Sequence, residues 1–438
     1  MFLLFPHQLY HTLPQKEDIY LVEEPILFGS RPNIKLRLNK LRIAYQRYLE
    51  NIFVATNSGI TFVPLEKYND FIKTLKNKEI TLYDPVDHAV LNKWQKITKN
   101  LTVLDTPSFL LSKDKLTEYM QQKNGKRLRH APFYTWMKKE LQILENVASQ
   151  DKYNRLPYPK DAPEPPSVYP HFHRSAMHVK ALADAIKWVS HTFGKNPGEI
   201  DEEYLTKLPC THDEAIIWLD KFLAERFYNF GKYEDAIVKN QSWMFHSGLS
   251  IPLNYGLLTP HDILEKTKTY KKKVPIEAFE GFIRQIIGWR EYCRVYYYYV
   301  PSKVYLSNHF KFKKTPLTKE WYNGTTKIPI VDDAIHDAWK YGYLHHIRRL
   351  MVMANYMTLC KIHPDNIYKW MYEFSLDSND VFMIFNCYSM GSYADGGYAT
   401  FKPYISSSNY IKIQSKEQSG EWETIWDAKY HRFKADYL

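Results

Sequence analysis

The chain has 438 residues, of which 45% are hydrophobic and 16% aromatic, with 35 tyrosines and 11 tryptophans. This apolar content excludes an intrinsically disordered chain, and the length is sufficient for two or three domains. Lysine and arginine outnumber aspartate and glutamate by 59 to 48, which gives a net charge of +11. An excess of that size favours a polyanionic partner, with nucleic acid preferred over a membrane surface.

The four cysteines form no CxxC pair; they are Cys210, Cys293, Cys360 and Cys387. A cysteine-based zinc site is therefore not expected, and the small number suits reduced thiols inside a cell. The first residues, MFLLFPHQLY, lack the basic region of a signal peptide, and no run of 18 apolar residues occurs that could span a membrane. We expect a soluble, intracellular protein.

Short apolar runs alternate with helical patterns over the first 130 residues. Six runs are typical of strands in a buried parallel sheet: MFLLF, DIYLVE, IFVAT, ITFVPL, ITLYDP and LTVLDTP. Helical periodicity lies between them, in KLRLNKLRIAYQRYLENI and KYNDFIKTLKNK. Strand–helix alternation predicts a doubly wound, Rossmann-like parallel α/β domain over 1–135. No GxGxxG follows the first strand, so this domain would not bind a nucleotide through a dinucleotide fingerprint.

A Pro-rich segment, NRLPYPKDAPEPPSVYP, separates the two halves of the chain. Proline at this density excludes a helix, so we expect an extended linker within 136–205. Beyond it the pattern is helical almost to the end, which predicts an all-α domain over 206–438. The periodic segments are 174–194, 212–228, 231–242, 276–299, 331–340, 341–361 and 364–375.

The segment YGYLHHIRRL at 341–350 places two histidines and two arginines in an otherwise apolar run. If the segment is helical, His345 and Arg349 share a face, and His346 and Arg349 are also neighbours. A buried arginine needs a carboxylate partner, because an unpaired guanidinium is costly in a core. Two interpretations follow: solvated charges at a helix edge, or a cofactor pocket with an Arg–Asp pair and a histidine general acid.

Several longer blocks occur in order along the chain: LFPHQL at 4–9, DKYNRLPYP at 151–159, FHSGLSIPLNYGLLTP at 245–260, FEGFIRQIIGWREYCR at 279–294, YLHHIRRLMV at 343–352 and ADGGYATFKPYISSSNYI at 394–411. Together they resemble the DNA photolyase/cryptochrome superfamily, most closely its bacterial iron–sulfur (6-4) photolyase branch. The resemblance covers nearly the whole chain. It implies an N-terminal antenna domain and a C-terminal helical FAD-binding domain.

Two blocks match cofactor-binding segments of that family. HSGLS resembles the segment that holds the FAD phosphates, and the residues it implies are Ser247, Leu249 and Ser250. Hydroxyl and backbone N–H groups suit that task if the segment opens a helix, whereas an ordinary serine cap is the alternative. GWREY and the residues before it resemble a block that lines the flavin and lesion pocket. There Gln285 and Arg290 would bond the cofactor, and Trp289 would stack on a flipped base unless it is a core tryptophan.

The double histidine and the arginine acquire roles from the same resemblance. In the family the arginine pairs with an aspartate 28 residues further on, beside the isoalloxazine ring, and here Arg349 and Asp377 have that spacing. The pair would orient the ring and stabilise its reduced anion. His345 and His346 match histidines of which one donates a proton to a (6-4) lesion. We expect His346 to face the lesion and His345 to support it, with Tyr404, in KPYISS, near the lesion.

The resemblance also implies electron-transfer and antenna positions. Trp370 matches one link in the chain of residues that reduces the flavin. Tyr322 stands where the branch usually has its outer tryptophan, with Trp321 adjacent, so either a tyrosyl relay or an alternative route would complete that chain. Glu23, in LVEEP, resembles a glutamate that contacts a lumazine-type antenna chromophore.

Two features depart from the branch. Its [4Fe–4S] cluster needs four cysteines, but Ile330 occupies the first position and no cysteine follows Cys387. Because isoleucine cannot replace a thiolate, we expect no iron–sulfur cluster. Near flavin N5 the alignment places Met383, a poor hydrogen-bond partner for a protonated nitrogen, with Asn386 and Asp380 as alternatives.

The leading functional prediction is a monomeric, light-driven DNA repair photolyase, of (6-4) type rather than cyclobutane type. It would capture UV-damaged duplex DNA and receive the extruded lesion above FAD, with no membrane involved. The alternative is a cryptochrome-like blue-light receptor that binds FAD without repair, which Met383 and the missing cysteines favour. A third interpretation is a degenerate relative that binds nucleic acid only.

Overall fold

A computed structural model describes residues 1–14, 18–29, 33–56, 59–123, 125, 127–157, 159, 161–415 and 417–438, without the side chains of 53–56. Tyr158 and Lys160 of the predicted linker lie outside the described residues. The described chain forms a parallel sheet with helices, followed by a long helical half. No described helix is long and apolar enough to cross a membrane.

Five parallel strands form the sheet in the order β3-β2-β1-β4-β5. They are β1 (Phe2–Leu4), β2 (Ile19–Val22), β3 (Thr61–Val63), β4 (Ile80–Tyr83) and β5 (Leu101–Leu104). Phe2 lies opposite Ile19 on one side and Thr81 on the other, so the chain winds outward from β1 in both directions. All three residues of β1 are fully buried, because helices cover both faces of the sheet. The doubly wound prediction is confirmed.

The predicted strand IFVAT is wrong, because these residues end the helix Lys35–Thr56. No glycine or proline separates IFVAT from the helical pattern before it, and a short apolar run cannot by itself distinguish strand from helix. The other helices that accompany the sheet are Pro25–Phe28, Tyr68–Lys73, His88–Ile97, Lys113–Lys123 and His130–Glu140, with a 3₁₀ turn at Leu65–Lys67.

The second half is helical. A 3₁₀ turn, Asp151–Tyr153, precedes the helices Ala176–Thr192, Glu202–Thr206, His212–Glu225, Phe227–Phe230, Ser250–Asn254, Pro260–Lys268, Ile276–Ile283, Glu291–Tyr299, Ser302–Tyr305, Glu320–Asn323, Pro329–Tyr341, Asn355–Leu359, Pro364–Phe374, Asp380–Ile384, Ser408–Gln414 and Glu421–Tyr437. Three π-helical segments interrupt this pattern, at Arg284–Arg290, Arg348–Ala354 and Phe385–Gly391. Such segments are rare and are frequent at functional sites.

Two helix predictions need correction. The segment 231–242 consists of turns, and Ile237 forms an isolated parallel bridge with Ser415. The segment 341–361 is not one helix, because the helix Pro329–Tyr341 ends at Gly342, which has a left-handed φ of 59°. Glycine commonly ends helices in this conformation. The chain is extended from Tyr343 to His345 and becomes helical again at His346.

Buried polar contacts join the helical half to the sheet. Glu291 accepts a hydrogen bond from the backbone N–H of Leu110 at 2.7 Å, and Arg294 donates to the carbonyl of Leu111 at 2.5 Å. The ring of Tyr297 stacks on His88 with centroids 4.1 Å apart. The two halves therefore pack through hydrogen bonds of buried polar groups as well as through apolar surface.

Candidate functional site

Arg349 and Asp377 form an ion pair in which the side chain of Asp377 is buried and that of Arg349 is 17% exposed. The Nη2 atom of Arg349 lies 3.0 Å and 3.2 Å from the two carboxylate oxygens of Asp377. Arg349 Nε donates to the carbonyl of Leu344 at 2.6 Å, which the extended backbone before the helix leaves available. Asn254 holds the backbone of Asp377 through a hydrogen bond of 2.7 Å. The contact that the family resemblance implies is present, and its role beside a flavin stays a prediction.

Aromatic rings enclose the guanidinium of this pair. Its central carbon lies 5.7 Å from the ring centroid of Tyr343 and 5.5 Å from that of Phe374, within cation–π range. Tyr343 stacks flat on Trp243, with centroids 3.9 Å apart and planes 9° apart. A cavity of about 370 Å³ is lined by Trp243, but neither Arg349 nor Asp377 lines it. A flat aromatic stack therefore fills the space beside the ion pair.

Three histidines gather next to the pair. His345 is 1% exposed and stacks on His246 with centroids 4.5 Å apart. His346 points outward, with 46% of its side chain exposed, and lies edge-on to His246 at 5.2 Å. The predicted division, with His346 at the surface and His345 behind it, matches these positions, whereas their roles stay predictions.

Burial lowers the pKa of His345 well below its usual value, and the neighbouring His246 and His346 lower it further. The pKa of His246 is lowered in the same way, by burial first and then by His346 and Arg226. Both nitrogens of His345 and Nε2 of His246 have no hydrogen-bond partner within the described chain. Buried polar atoms are seldom left unpaired, so these nitrogens mark a place where a ligand would bind.

The ring nitrogens of the three histidines lie within 4.8 Å of one another. Because His246 and His345 are nearly parallel, at 14°, their lone pairs run side by side and do not converge on one point. A tetrahedral metal centre requires convergent lone pairs. The arrangement suits hydrogen bonding and proton transfer better than metal coordination.

A cluster of charged groups, which we call the Arg155 cluster, connects several predicted site residues. It comprises Arg155, Asp151, Glu234 and Asp235. Arg155 Nε lies 3.5 Å from Glu234 and 3.6 Å from Asp235, and its Nη2 atom lies 3.4 Å from Asp151. His346 Nε2 lies 3.7 Å from Asp235. The cluster therefore sits directly beside the exposed histidine.

Gln285 and Tyr404 border the same cluster. Gln285 donates to Glu234 at 3.0 Å from the π-helical segment Arg284–Arg290. Tyr404 is 38% exposed; burial raises its pKa, while the nearby Arg155 acts in the opposite direction. The structure thus brings together His346, Gln285 and Tyr404, which are far apart in the sequence.

A buried arginine that sequence analysis missed, Arg226, bonds the HSGLS segment. Arg226 is fully buried and donates through Nη1 to the carbonyl of His246 at 2.6 Å, while its Nε and Nη2 atoms have no partner in the described structure. Burial lowers the pKa of Arg226 to about 10. A buried guanidinium with two free donors and no carboxylate bonded to it requires an anion.

The hydroxyl and backbone groups of HSGLS lie close to Arg226. Ser247 accepts a bond from the N–H of Leu249 at 3.4 Å, and its carbonyl accepts from Trp218 at 2.8 Å. Ser250 begins the helix Ser250–Asn254, and Gly248 has a left-handed φ of 67°. A side chain at Gly248 would meet the ring of Trp243 at 2.8 Å, so this turn needs glycine.

Trp289 and Arg290 face the junction with the sheet. Trp289 is half-buried and stacks on Phe382, with centroids 5.8 Å apart. Arg290 is buried and donates to the side chain of Asn254 at 2.8 Å and to the carbonyl of Ser108 at 3.2 Å. Arg290 therefore acts on the ion pair through Asn254, and its predicted bond to a cofactor stays a prediction.

Aromatic residues lead from the ion pair towards the surface. Phe374 lies 4.9 Å from Trp370, which lies 6.4 Å from Trp339. Trp339 stacks on the half-buried Tyr322 at 5.8 Å. Trp339, which the sequence analysis did not single out, thus joins the two predicted electron-transfer residues. The adjacent Trp321 accepts a hydrogen bond from Trp370 through its carbonyl at 2.8 Å.

The remaining predicted positions are buried or half-buried, and two of them, Glu23 and Asp380, accept hydrogen bonds within the protein. Glu23 is ion-paired with Arg42 at 2.7 Å and accepts from the N–H of Leu65 at 2.7 Å, so both of its oxygens are occupied. Ile330 and Met383 are each 3% exposed. Asp380 accepts a bond from Tyr297 at 2.6 Å, and Asn386 lies half-buried in the π-helical segment Phe385–Gly391.

The chain combines a doubly wound sheet with a helical half that contains the Arg349–Asp377 ion pair. The buried Arg226 in this half has free donors for an anion. These features are typical of a cofactor-binding protein. Residues 34–205 match the family model for deoxyribodipyrimidine photo-lyase-related protein, and residues 282–430 match that for the FAD binding domain of DNA photolyase. The chain belongs to the DNA photolyase/cryptochrome superfamily.

Relatives support this assignment. The chain is similar to a (6-4) photolyase of Agrobacterium fabrum, with 31% identity over 268 residues, or 58% of this chain and 52% of that protein. It thus spans about half the length of that relative. It is also 51% identical over 84 residues to uncharacterized protein R855 of Acanthamoeba polyphaga mimivirus, a match covering 19% of this chain and 68% of that protein.

The fold resembles the crystal structure of a bacterial class III photolyase from Agrobacterium tumefaciens. The TM-score is 0.59 at 16% identity, and the match covers 99% of this chain and 97% of that one. At this identity the likeness concerns the fold alone.

Replacing Asp377 with alanine should lower the free energy of unfolding by about 3 kcal/mol, because it leaves Arg349, whose side chain is only 17% exposed, without a counter-charge. Urea unfolding measures this loss. The matched control is Asp70→Ala, which removes a surface pair with Lys73 whose side chains are 82% and 76% exposed, and it should change the free energy of unfolding far less. Equal costs for the two variants would contradict a buried pair at 349 and 377.

Lowering the pH from 7 to 5 should destabilise the protein, because the unfolded chain protonates its histidines near pH 6.5 whereas folded His345 and His246 stay neutral. Below about pH 6.5, each such histidine lowers the free energy of unfolding by up to about 1.4 kcal/mol per pH unit. Urea unfolding at several pH values should therefore show a shallower slope for His345→Leu than for the native chain. His261→Leu, at a side chain 74% exposed, should leave the slope unchanged, and a slope unaltered by His345→Leu would refute the argument.

Proposed function

We propose that the chain is a light-driven DNA repair photolyase that uses FAD, acts on (6-4) pyrimidine photoproducts and works as a monomer. One observation carries this proposal: the half-exposed His346 lies beside the buried His345, and Arg349 with its partner Asp377 follows directly. A proton donor is thus open to solvent while an anion-stabilising group lies buried behind it.

The residues around the site fit FAD in chemical terms. The free Nε and Nη2 donors of Arg226 would hold the diphosphate, together with the hydroxyls of Ser247 and Ser250. Arg349, oriented by Asp377, would lie at the ring. The Tyr343–Trp243 stack fills the space beside Arg349, so these two rings would move aside when a flavin binds there. FAD, when bound, supplies the electron that light transfers to the lesion.

His346 would donate its proton from Nε2 to the lesion. The carboxylate of Asp235 lies 3.7 Å from this nitrogen, and burial keeps His345 neutral behind it. Because only His346 of the pair is exposed, only His346 can reach a lesion that enters from solvent. Tyr404, half-exposed beside the Arg155 cluster, would line the same entrance.

The DNA partner is supported by charge. The chain carries a net charge of +11, so lysine and arginine side chains are in excess for contacts with phosphates. Phosphate contacts of this kind hold a duplex while a base is extruded. Trp289 would contact the extruded base. Glu23 would contact a lumazine-type antenna chromophore, in addition to its ion pair with Arg42.

We also propose that the chain carries no iron–sulfur cluster. Ile330 stands at the first ligand position, and aromatic residues pack around the last helix: Trp426 stacks on Tyr356 at 4.8 Å and contacts Trp422 at 6.3 Å. Apolar packing can replace the structural role of a cluster without supplying iron ligands.

The second candidate is a cryptochrome-like receptor that binds FAD without repair. Met383 favours it, because this residue is buried in the helix Asp380–Ile384 and offers no strong hydrogen-bond partner. A receptor would show light-dependent change of its flavin without turnover of lesions.

Replacing His346 with alanine should lower repair of a (6-4)-containing oligonucleotide under blue light by about 100-fold or more, because the proton donor is lost. Chromatography of the repaired strand measures the rate, and flavin absorbance checks that the cofactor remains bound. His261→Ala, at an exposed histidine elsewhere, should repair at the native rate. If the native chain repairs no (6-4) lesion, the receptor function is favoured.

Replacing Trp339 with phenylalanine should slow the reduction of bound FAD in light by about tenfold or more, because Trp339 is the ring between Trp370 and Tyr322. Absorbance during illumination with an external reductant measures this rate. Trp136→Phe removes a half-buried tryptophan packed against Tyr119 and should leave the rate unchanged. Equal rates in the two variants would exclude Trp339 from the path. The tenfold figure corresponds to about 1.4 kcal/mol in a barrier.

A further inference from the structure

A buried carboxylate lies at the outer end of the aromatic path that runs from Trp370 through Trp339 to Tyr322. The hydroxyl of Tyr322 donates a hydrogen bond to Oε2 of Glu373 at 3.3 Å. Glu373 follows Trp370 by three residues in the same helix, and its side chain is only 7% exposed. The backbone N–H of Ile34 bonds the carbonyl of Glu373 at 2.9 Å, which ties this turn of the helix to the N-terminal half.

The charged groups that face this contact make Glu373 the base and Tyr322 the acid. Burial raises the pKa of Glu373, whereas Lys369 and the hydrogen bond from Tyr322 act in the opposite direction. Lys369 Nζ lies 4.0 Å from Oε1 of Glu373, and its side chain is 54% exposed. Burial first, and then Glu373, raise the pKa of Tyr322 to about 12. The phenol therefore keeps its proton in the resting protein.

The two tryptophans of the path have no comparable base. Trp370 Nε1 donates to the carbonyl of Trp321 at 2.8 Å, and Trp339 Nε1 is buried without a hydrogen-bond partner in the described structure. A backbone carbonyl accepts a hydrogen bond but does not take up a proton at neutral pH. An oxidised Trp370 or Trp339 therefore keeps its indole proton and remains a radical cation.

Loss of a proton determines whether Tyr322 can be oxidised. A phenol radical cation is a far stronger acid than the phenol, and oxidation without proton release would leave an uncompensated positive charge in a half-buried site, which is costly. Transfer of the proton to Glu373 removes this cost, because a carboxylate becomes a neutral carboxylic acid as the phenol becomes a neutral radical.

We propose that Glu373 is the proton acceptor for Tyr322, so that the pair traps the positive charge that light drives outward along the aromatic path. Trp339, oxidised by one electron, takes an electron from Tyr322. The Oη–H bond of Tyr322 breaks, and its proton passes to Oε2 of Glu373. The products are a neutral Trp339, a neutral tyrosyl radical and a carboxylic acid, and the electron that left the path has moved inward to bound FAD.

The trap slows the return of the electron, because reversal would require the proton to leave Glu373 at the same time. A one-electron donor in solution, such as ascorbate or a thiol, then reduces the half-buried Tyr322 radical, which takes its proton back from Glu373. The inference rests on the proposed FAD-dependent function and assigns a role to a carboxylate that lies outside the flavin and lesion sites.

Time-resolved absorption and electron paramagnetic resonance after a blue flash distinguish tyrosyl from tryptophanyl radicals. In the native protein with FAD, the tyrosyl signal should rise as the tryptophanyl signal decays. Glu373→Gln keeps the size of the side chain and an acceptor for the phenol but cannot take the proton, so the tyrosyl yield should fall by about tenfold or more. Tyr68→Phe, which removes a phenol bonded to Glu24 at 2.7 Å, should leave the yield unchanged.

Tyr322→Trp separates proton transfer from a structural role of Glu373. Oxidation of an indole at this position needs no proton acceptor, so its rate should be insensitive to Glu373→Gln and equal in H2O and D2O. In the native chain, tyrosyl formation should be slower in D2O. The tyrosyl yield should also fall as the pH is lowered from about 8 to about 5, because the raised pKa of Glu373 brings its protonation towards this range.

Equal tyrosyl yields in the native chain and Glu373→Gln would overturn the proposal and assign the proton to water. A positive charge that stays on tryptophan in the native chain would also overturn it. The radical can be generated without FAD, by a laser flash on tris(bipyridine)ruthenium with a soluble electron acceptor, and the tyrosyl signal that Tyr322→Phe removes should then form more slowly in Glu373→Gln. A chain that binds no FAD would fail the proposed function but still give this signal, so the two failures are distinguishable.

Discussion

The ion pair between Arg349 and Asp377 organises the helical half and connects it to the sheet. Arg349 also bonds the carbonyl of Leu344, which fixes the extended turn before the two histidines. The backbone of Asp377 is held by Asn254, whose side-chain oxygen accepts from Arg290. Arg290 then bonds the carbonyl of Ser108, beyond the last strand. Because a buried charge must be compensated, each of these groups constrains the next.

The same region contains polar groups that the described protein leaves unsatisfied. Arg226 has two free donors, and His345 and His246 have unpaired nitrogens, all of them buried. Their burial lowers stability unless a ligand pairs with them, so binding of an anionic, heteroatom-rich cofactor and folding stability should be linked. Polar atoms deep in the site would thus recognise the cofactor, while the exposed His346 and Tyr404 would face DNA.

Six apolar runs were predicted to be strands, and five of them are, because short apolar runs between helical patterns are typical of a parallel sheet. The prediction for IFVAT was wrong because no glycine or proline separates it from the helix before it. The prediction for 231–242 was wrong because its apparent helical periodicity occurs in turns. The helix at 341–361 was placed too early, since Gly342 ends the preceding helix in a left-handed conformation. Family spacing predicted the contact of Arg349 with Asp377. Arg155, Arg226 and Trp339 were missed because their importance arises from partners distant in the sequence, and the Tyr343–Trp243 stack depends on packing that no local pattern encodes.

The most direct test of the central claim is the dissociation constant of FAD, measured by flavin fluorescence for the native chain and for Asp377→Asn. The asparagine keeps the size of the side chain but removes the charge that orients Arg349, and circular dichroism can establish that the variant is folded. The account predicts one tightly bound FAD per native chain and at least about tenfold weaker binding by the variant, which corresponds to about 1.4 kcal/mol. Equal affinity of a folded variant, or no FAD binding by the native chain, would contradict it.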